Sequence, residues 1–253
     1  MTRGLAERMA PHAPALAFGA VILILWEGVA RGLRLPVNTI PPPSLVLWSL
    51  YVRADLLAEH AVLTFSQTLL GFAASVVVGV ALGWSISKSR LLYDAFYPVI
   101  VILQVVPKEA LAPLLVLWFG ASTLSRLLLA FLIAFFPMVI NTIVGVRGLD
   151  TTMLNYAASL SCSRRQLFVK VALPAALPSI FAGIKISVTL AVIGVVVAEI
   201  VAGRSGLGYL LLFASSREDM GFSLAILLVL AVWGALLYGG ILLLERRVIY
   251  WRS

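Results

Sequence analysis

The chain has 253 residues, 62% of them hydrophobic and only 12% charged, and its mean hydropathy is +1.06. A soluble domain of this length needs many more charged side chains to cover its surface, so the composition excludes an ordinary soluble protein and points to a membrane protein. The net charge of +8 would suggest nucleic acid in a soluble chain. Beside a bilayer it is first a matter of orientation, and no nucleic-acid partner is expected. Cys162 is the one cysteine, and His12 and His60 are the only histidines, so an internal disulfide is excluded and a zinc site has too few ligands.

A hydrocarbon core of ~30 Å needs about 20 residues of helix, and six stretches of the sequence meet that length. The first, Ala13 to Ala30, carries Glu27 near its end and follows Arg3 and Arg8. It has no small-x-small cleavage site followed by a soluble domain, so it is read as a retained span rather than a signal peptide. Residues 35 to 51 (LPVNTIPPPSLVLWSLY) form a proline-interrupted outer connection with a short interfacial helix expected after Pro43. The second span is Ala61 to Ser87, where Ser75, Gly79 and Gly83 repeat every four residues and predict close helix packing.

The third span, Ala95 to Phe119, holds Lys108 and Glu109 between Pro107 and Pro113. A charge near the bilayer centre costs about 2.5–3.5 kcal/mol, so this pair must face protein or a wet cavity. The prolines predict a kinked or unwound span, tolerable only where protein or water covers it. Lys108 facing an anion, with Gln104 one turn away and Glu109 beside it, is a candidate lining of a translocation pathway. The alternative is a structural pair bracing the kink.

The fourth span is Leu127 to Val146, the fifth Ser179 to Ala202 and the sixth Phe222 to Leu244. Lys185 lies about one turn inside the fifth span and is expected to snorkel as an anchor. Glu199, near its outer end and followed by Gly203, Gly206 and Gly208, is a candidate gate or structural residue. It is expected to cap a helix or to brace the outer gate through Arg204. Trp84, Trp118, Trp233, Tyr250 and Trp251 suit interfacial anchoring. With both termini inside, eleven Lys and Arg fall in inner segments and six in outer ones, which places both termini in the cytoplasm.

Between spans four and five stands LNYAASLSCSRRQLFVKVALPAALP, residues 154 to 178. Leu160, Leu167, Phe168 and Val171 give one apolar side, and Arg164, Arg165 and Lys170 spread over the rest. Asp150, Thr151 or Thr152 can cap the helix. Pro174 is expected to break it and Pro178 to open the next. A docking helix and an ordinary solvated basic loop both fit this chemistry.

The stretch resembles the cytoplasmic EAA loop of the membrane subunits of binding-protein-dependent ABC importers. Anchored on Leu173-Pro174, Asn155 stands at the family's Glu, Tyr156 and Ala157 at its alanines and Ser161 at its Gly. Asn155 therefore offers hydrogen bonds without charge, and Ser161 lacks the glycine's backbone freedom. PKEALAPLLVLWFG at 107 to 120 and VVAEIVAGRSGLGYLL from Val196 also resemble the permease branch that imports nitrate, sulfonate, taurine and bicarbonate.

The resemblance implies an all-α, multi-pass permease of the bacterial inner membrane, with about six transmembrane helices and a short coupling helix between spans four and five, as in type I importers. Residues 1–60 would hold the first span and outer connection, 61–247 the transmembrane core with the EAA-like loop at 150–178, and 248–253 a cytoplasmic tail. Two copies would form the pore. Asn155, Tyr156, Ala157, Ala158, Ser161, Ser163, Arg164, Arg165 and Pro174 would meet two cytoplasmic ATPase subunits, which bind the ATP and Mg. A binding protein would deliver a small, anionic solute from the other side. The chain itself has no GxxxxGK[ST] loop, and no catalytic residue, metal or cofactor is assigned to it. The rivals are an intramembrane hydrolase, for which neither histidine has a serine motif, and an ATP-independent secondary transporter or channel, which has no obvious use for residues 154–178.

Overall fold

A computed structural model describes residues 13–33, 36–149, 159 and 163–252. Among them every regular element is helical: α1 (Ala13–Gly32), α2 (Pro43–Val52), α3 (Ala54–Ser87), α4 (Arg90–Val105), α5 (Ala112–Phe119), α6 (Thr123–Arg147), the short α7 (Arg164–Leu167), α8 (Leu173–Ala202), α9 (Leu207–Ser216) and α10 (Met220–Val248). A 3-10 turn, Lys108–Leu111, precedes α5, and a π-turn, Phe168–Ala172, joins α7 to α8. Four described helices are long and apolar enough to cross a membrane: α3, α6, α10 and the continuous run Arg165–Ala202. The α4–α5 pair makes a fifth if its two limbs count as one span.

The third expected span is broken. Its limbs, Arg90–Val105 and Lys108–Phe119, meet at 80°. The residue before a proline is driven out of the helical region, and Val106, before Pro107, is extended at φ −64° and ψ 127°. Pro107 is extended too, and Pro113 then sits in the first turn of α5, where its missing N–H costs little.

The chain divides into two compact units. In the one built from the described parts of residues 1–57 and 210–228, α1 and α2 are tied through Glu27. The start of α2 has no side-chain cap of its own. The Glu27 carboxylate supplies one, accepting from the Ser44 amide at 3.0 Å and its hydroxyl at 2.8 Å, while Arg31 donates to Glu27 at 2.5 Å. Asp219 caps α10 by accepting from the Phe222 amide and receives Arg53 at 2.6 Å. Trp48 and Tyr51 stand exposed on α2, the helix expected after Pro43.

In the other unit, residues 58–209 and 229–253, α6 is the central helix: 50% of its most apolar window is buried, against 11% for α10. A Cβ added at Gly71, Gly79 or Gly83 of α3 would lie 2.7–2.8 Å from Ala130, Met138 and Thr142 side chains of α6, so the four-residue repeat sets helix contact as expected. α8 packs on α6 just as closely: a Cβ at Gly194 would fall 2.7 Å from the Ala130 Cα, and the Ser187 hydroxyl donates to the Ala134 carbonyl at 2.8 Å. Backbone cannot yield as a side chain does. Gly194→Ala is therefore expected to push α8 from α6 at about 1–3 kcal/mol, read as a lower melting temperature in detergent, with no change on Gly234→Ala, where the space is open.

Packing bears on two of the aromatic anchors and changes the assignment of one. Trp84 meets Phe168 edge-on at 4.7 Å, and Trp233, in the middle of α10, stacks on Phe65 at 4.0 Å. Both rings serve helix contacts, and Trp233 is too far along its helix to sit at an interface.

Candidate functional site

The described part of the loop between α6 and α8 opens with a capping box. The Ser163 hydroxyl accepts from the Gln166 amide at 3.3 Å, and the Gln166 side chain returns the bond to the Ser163 amide at 2.9 Å. A helix therefore begins at Ser163, and Arg165 and Gln166 are exposed on it. Asn155, Tyr156, Ala157, Ala158 and Ser161, with the expected caps Asp150 to Thr152, lie outside the described residues, as does the side chain of Arg164. Pro174 does not break the helix, contrary to expectation. It stands in the first turn of α8, and the turn before it widens, so that the Leu173 amide donates to the Phe168 carbonyl, five residues back. A π-turn absorbs the ring by changing the hydrogen-bond register instead of ending the helix. Arg164 to Ala202 is thus one uninterrupted helical rod, with Pro178 inside it rather than at a new start.

At the break between α4 and α5, Lys108 is buried and Glu109 and Gln104 are exposed. The Lys108 ammonium donates to the Gln104 backbone carbonyl at 2.5 Å and lies 4.8 Å from the Phe136 ring centre. Val106 and Pro107 are extended and Pro107 has no N–H, so the last carbonyls of α4 lose their amide partners. The ammonium takes one of them, and the ring of α6 shields the charge. Among the described residues no ion pair joins Lys108 to Glu109. The side chain thus holds the bend together, and Gln104 is its partner through the main chain.

Glu199 is fully buried in α8. Three successive amides at the start of α9 are each met by a different side chain. Gly206 N–H donates to His60 Nδ1 at 2.9 Å, Leu207 N–H to the Thr64 hydroxyl at 2.8 Å, and Gly208 N–H to the Glu199 carboxylate at 2.8 Å. The Thr64 hydroxyl in turn donates to Glu199 at 2.8 Å. A carboxylate at a helix N-terminus is favourably placed against the helix dipole. Gly206 has φ +102°, and a Cβ there would fall on the Glu199 carboxylate. Arg204 is not among the partners of Glu199. The nearby cation is Arg126, which reaches Ser205 at 3.3 Å.

Thr64 and His60 were not singled out in the sequence. Their signal is the polar series His60, Thr64 and Thr68 at four-residue spacing on an otherwise apolar helix. Lys185 was expected to snorkel. Instead it pairs with Glu245 of α10 at 2.8 Å, an acid within reach that holds the ammonium within the protein.

These features are mechanical rather than reactive: a pinned bend, a latched turn and a rod that runs from an exposed basic cap to the buried acid of the latch. Several apolar helices long enough to cross a membrane, held by such devices, mark a polytopic membrane protein. The profile of the family described as "binding-protein-dependent transport system inner membrane component" matches residues 75–250, and the chain belongs to that family. It is 35% identical over 245 residues to a permease protein of Bacillus subtilis named for the transport of aliphatic sulfonates, covering 94% of this chain and 87% of that one. The riboflavin transport system permease protein of Chloroflexus aurantiacus is 35% identical over 235 residues, covering 92% and 88%. The taurine transport system permease protein of Escherichia coli K12 is 31% identical over 241 residues, covering 92% and 88%. The resemblance carried by residues 107–120, 154–178 and the stretch from Val196 is borne out at the level of family and branch.

Proposed function

We propose that this chain is the membrane-spanning permease subunit of an ATP-driven importer. Two copies enclose the path, each with six spans and both termini in the cytoplasm. Two ATPase subunits, which hold the ATP and Mg, dock on residues 155–165, and an outer binding protein delivers a small solute. The observation that carries this reading is the helical rod from Arg164 to Ala202. A push on its basic, Ser163-capped end reaches the Glu199 latch at the other end without crossing a flexible loop. Nucleotide-driven closure of the ATPase pair can thus alternate the access of the path.

The names of the sulfonate and taurine relatives make a small solute bearing a sulfonate group the first cargo to test, and the riboflavin relative makes an uncharged one the second. Lys108 adds little to the anionic reading, since its charge is spent on Gln104 and Phe136. Gln104 and Glu109, both exposed at the bend, are the better candidates for the path.

A gentle pull-down of the tagged chain from its own membranes tests the assignment. A P-loop ATPase is expected in about equal amount, and it should be lost when residues 155–165 become a Gly-Ser linker. Recovery of the chain alone, with transport that needs no ATP, would establish a secondary transporter instead. Ala157→Trp or Ala158→Trp should abolish transport while membrane insertion stays intact, since both stand where the docking surface is assigned. Normal uptake by these variants would remove the coupling role.

A further inference from the structure

Lys185 and Glu245 are charged groups of two spanning helices that neither the bend nor the latch uses. The Lys185 ammonium donates to both Glu245 oxygens, at 2.8 and 3.1 Å, across 60 residues of chain. The two side chains are 22% and 20% exposed. Open grooves of about 620 and 460 Å³ lie along the surface where α8 and α10 run together, both lined by Thr189 and Tyr238, and the smaller is bounded by Lys185. Gly234 and Gly239 on the α10 wall have nothing within 4 Å of where a Cβ would stand. None of the apolar clusters centred on Leu129, Val139 and Met138 draws a residue from α10. The stacking of Trp233 on Phe65 ties α10 to α3, not to α8. Among the described residues the ion pair is a specific side-chain link between α8 and α10 along this seam.

An ion pair drawn out of water is often no better for stability than apolar side chains of the same volume, whereas removing one partner is costly in proportion to its burial. Its value in an open, apolar seam is to fix the rotation and height of one helix against the other. Lys185 lies 13 residues beyond Ala172 on α8, about 20 Å along the rod from the π-turn. Glu245 stands in the last turn of α10, next to Arg246 and Arg247.

We propose that Lys185 and Glu245 are a positioning pair that makes α10 move with α8 when the rod is driven from its Ser163 end. This rests on the importer reading above. The seam between the two helices then stays shut through the transport cycle, and the path opens elsewhere.

The test uses the whole complex, chain with ATPase and binding protein, in proteoliposomes. The paired apolar variant Lys185→Met with Glu245→Leu is expected to assemble and to hydrolyse ATP like the parent, but to move about tenfold less solute per ATP. The exchanged pair, Lys185→Glu with Glu245→Lys, is expected to recover most of that loss. A merely structural pair would change yield and melting without changing solute moved per ATP, so unaltered coupling in the apolar variant overturns the proposal. Should that variant fail to assemble, the chain carrying Cys162→Ser with Thr189→Cys and Tyr238→Cys is bridged by a bifunctional thiol reagent, with the Cys162→Ser chain treated alike as the control. Helices that move together should transport after bridging. ATPase activity that continues while transport stops would show that the seam must open, and the proposal would fall. Failure of the unmodified complex to show any ATP-driven uptake would remove the importer reading and this proposal with it, an outcome distinct from failure of the pair alone.

Discussion

Replacing Gly206 with alanine is expected to be among the most damaging single changes in the described chain. The residue holds φ +102°, and its missing Cβ leaves the space that the Glu199 carboxylate fills. An added methyl group must either expel that carboxylate or unwind the start of α9. If the carboxylate moves, Gly208 N–H and the Thr64 hydroxyl lose their acceptor in a fully buried place. Left-handed backbone strain and a displaced buried charge together should cost about 3 kcal/mol or more. The expected result is a markedly lower melting temperature in detergent and little assembled complex. Thr64→Val removes the hydroxyl that serves both Leu207 and Glu199, and should cost about 1–3 kcal/mol. Thr64→Ser, which keeps it, should cost less. Arg204→Ala should stay within about 0.5 kcal/mol of the parent, because Arg204 takes no part in the latch. A large loss on Arg204→Ala with a small one on Gly206→Ala would show that the turn is held another way.

Four spanning helices, and a fifth if the bent pair counts as one, were legible because about 20 uninterrupted apolar residues have few soluble alternatives. Their ends were less so. The second was read from Ala61, but α3 begins at Ala54, since Asp55, Glu59 and His60 are good enough helix residues outside the apolar stretch. The kink at Pro107 and Pro113 was legible from ring sterics alone. Pro174 was misread because a proline has two outcomes in a helix. It can end the rod, or sit in a turn whose hydrogen bonds have shifted by one residue, and local sequence does not choose between them. The partners of Glu199, Lys108 and Lys185 were the least legible. Thr64 stands 135 residues from Glu199 and Glu245 stands 60 from Lys185, and periodicity on one helix does not show which face of another it will meet. Proximity in sequence offered Arg204 for Glu199 and the headgroups for Lys185. In both cases a tertiary contact replaced the local one.

Lys108→Met decides what the buried ammonium is for. If Lys108 were a ligand for an anion, the substitution would raise KM for anionic cargo and leave the fold unchanged. The geometry predicts the opposite division. The ammonium is committed to the Gln104 carbonyl and shielded by Phe136, so its loss frees a main-chain acceptor at the point where α4 and α5 turn through 80°. A hydrogen bond from a charged donor is worth about 1.5–3 kcal/mol, and the bend should loosen by that amount. Maximal uptake should then fall about tenfold while KM stays within about twofold, because a pinned bend acts on every cargo alike. Lys108→Arg should recover only part of the loss, since a planar guanidinium replaces a compact point donor. Uptake in proteoliposomes over a range of solute concentrations, set beside the melting temperature of each variant, separates the two roles. An unchanged melting temperature with a raised KM would return Lys108 to the path as an anion ligand.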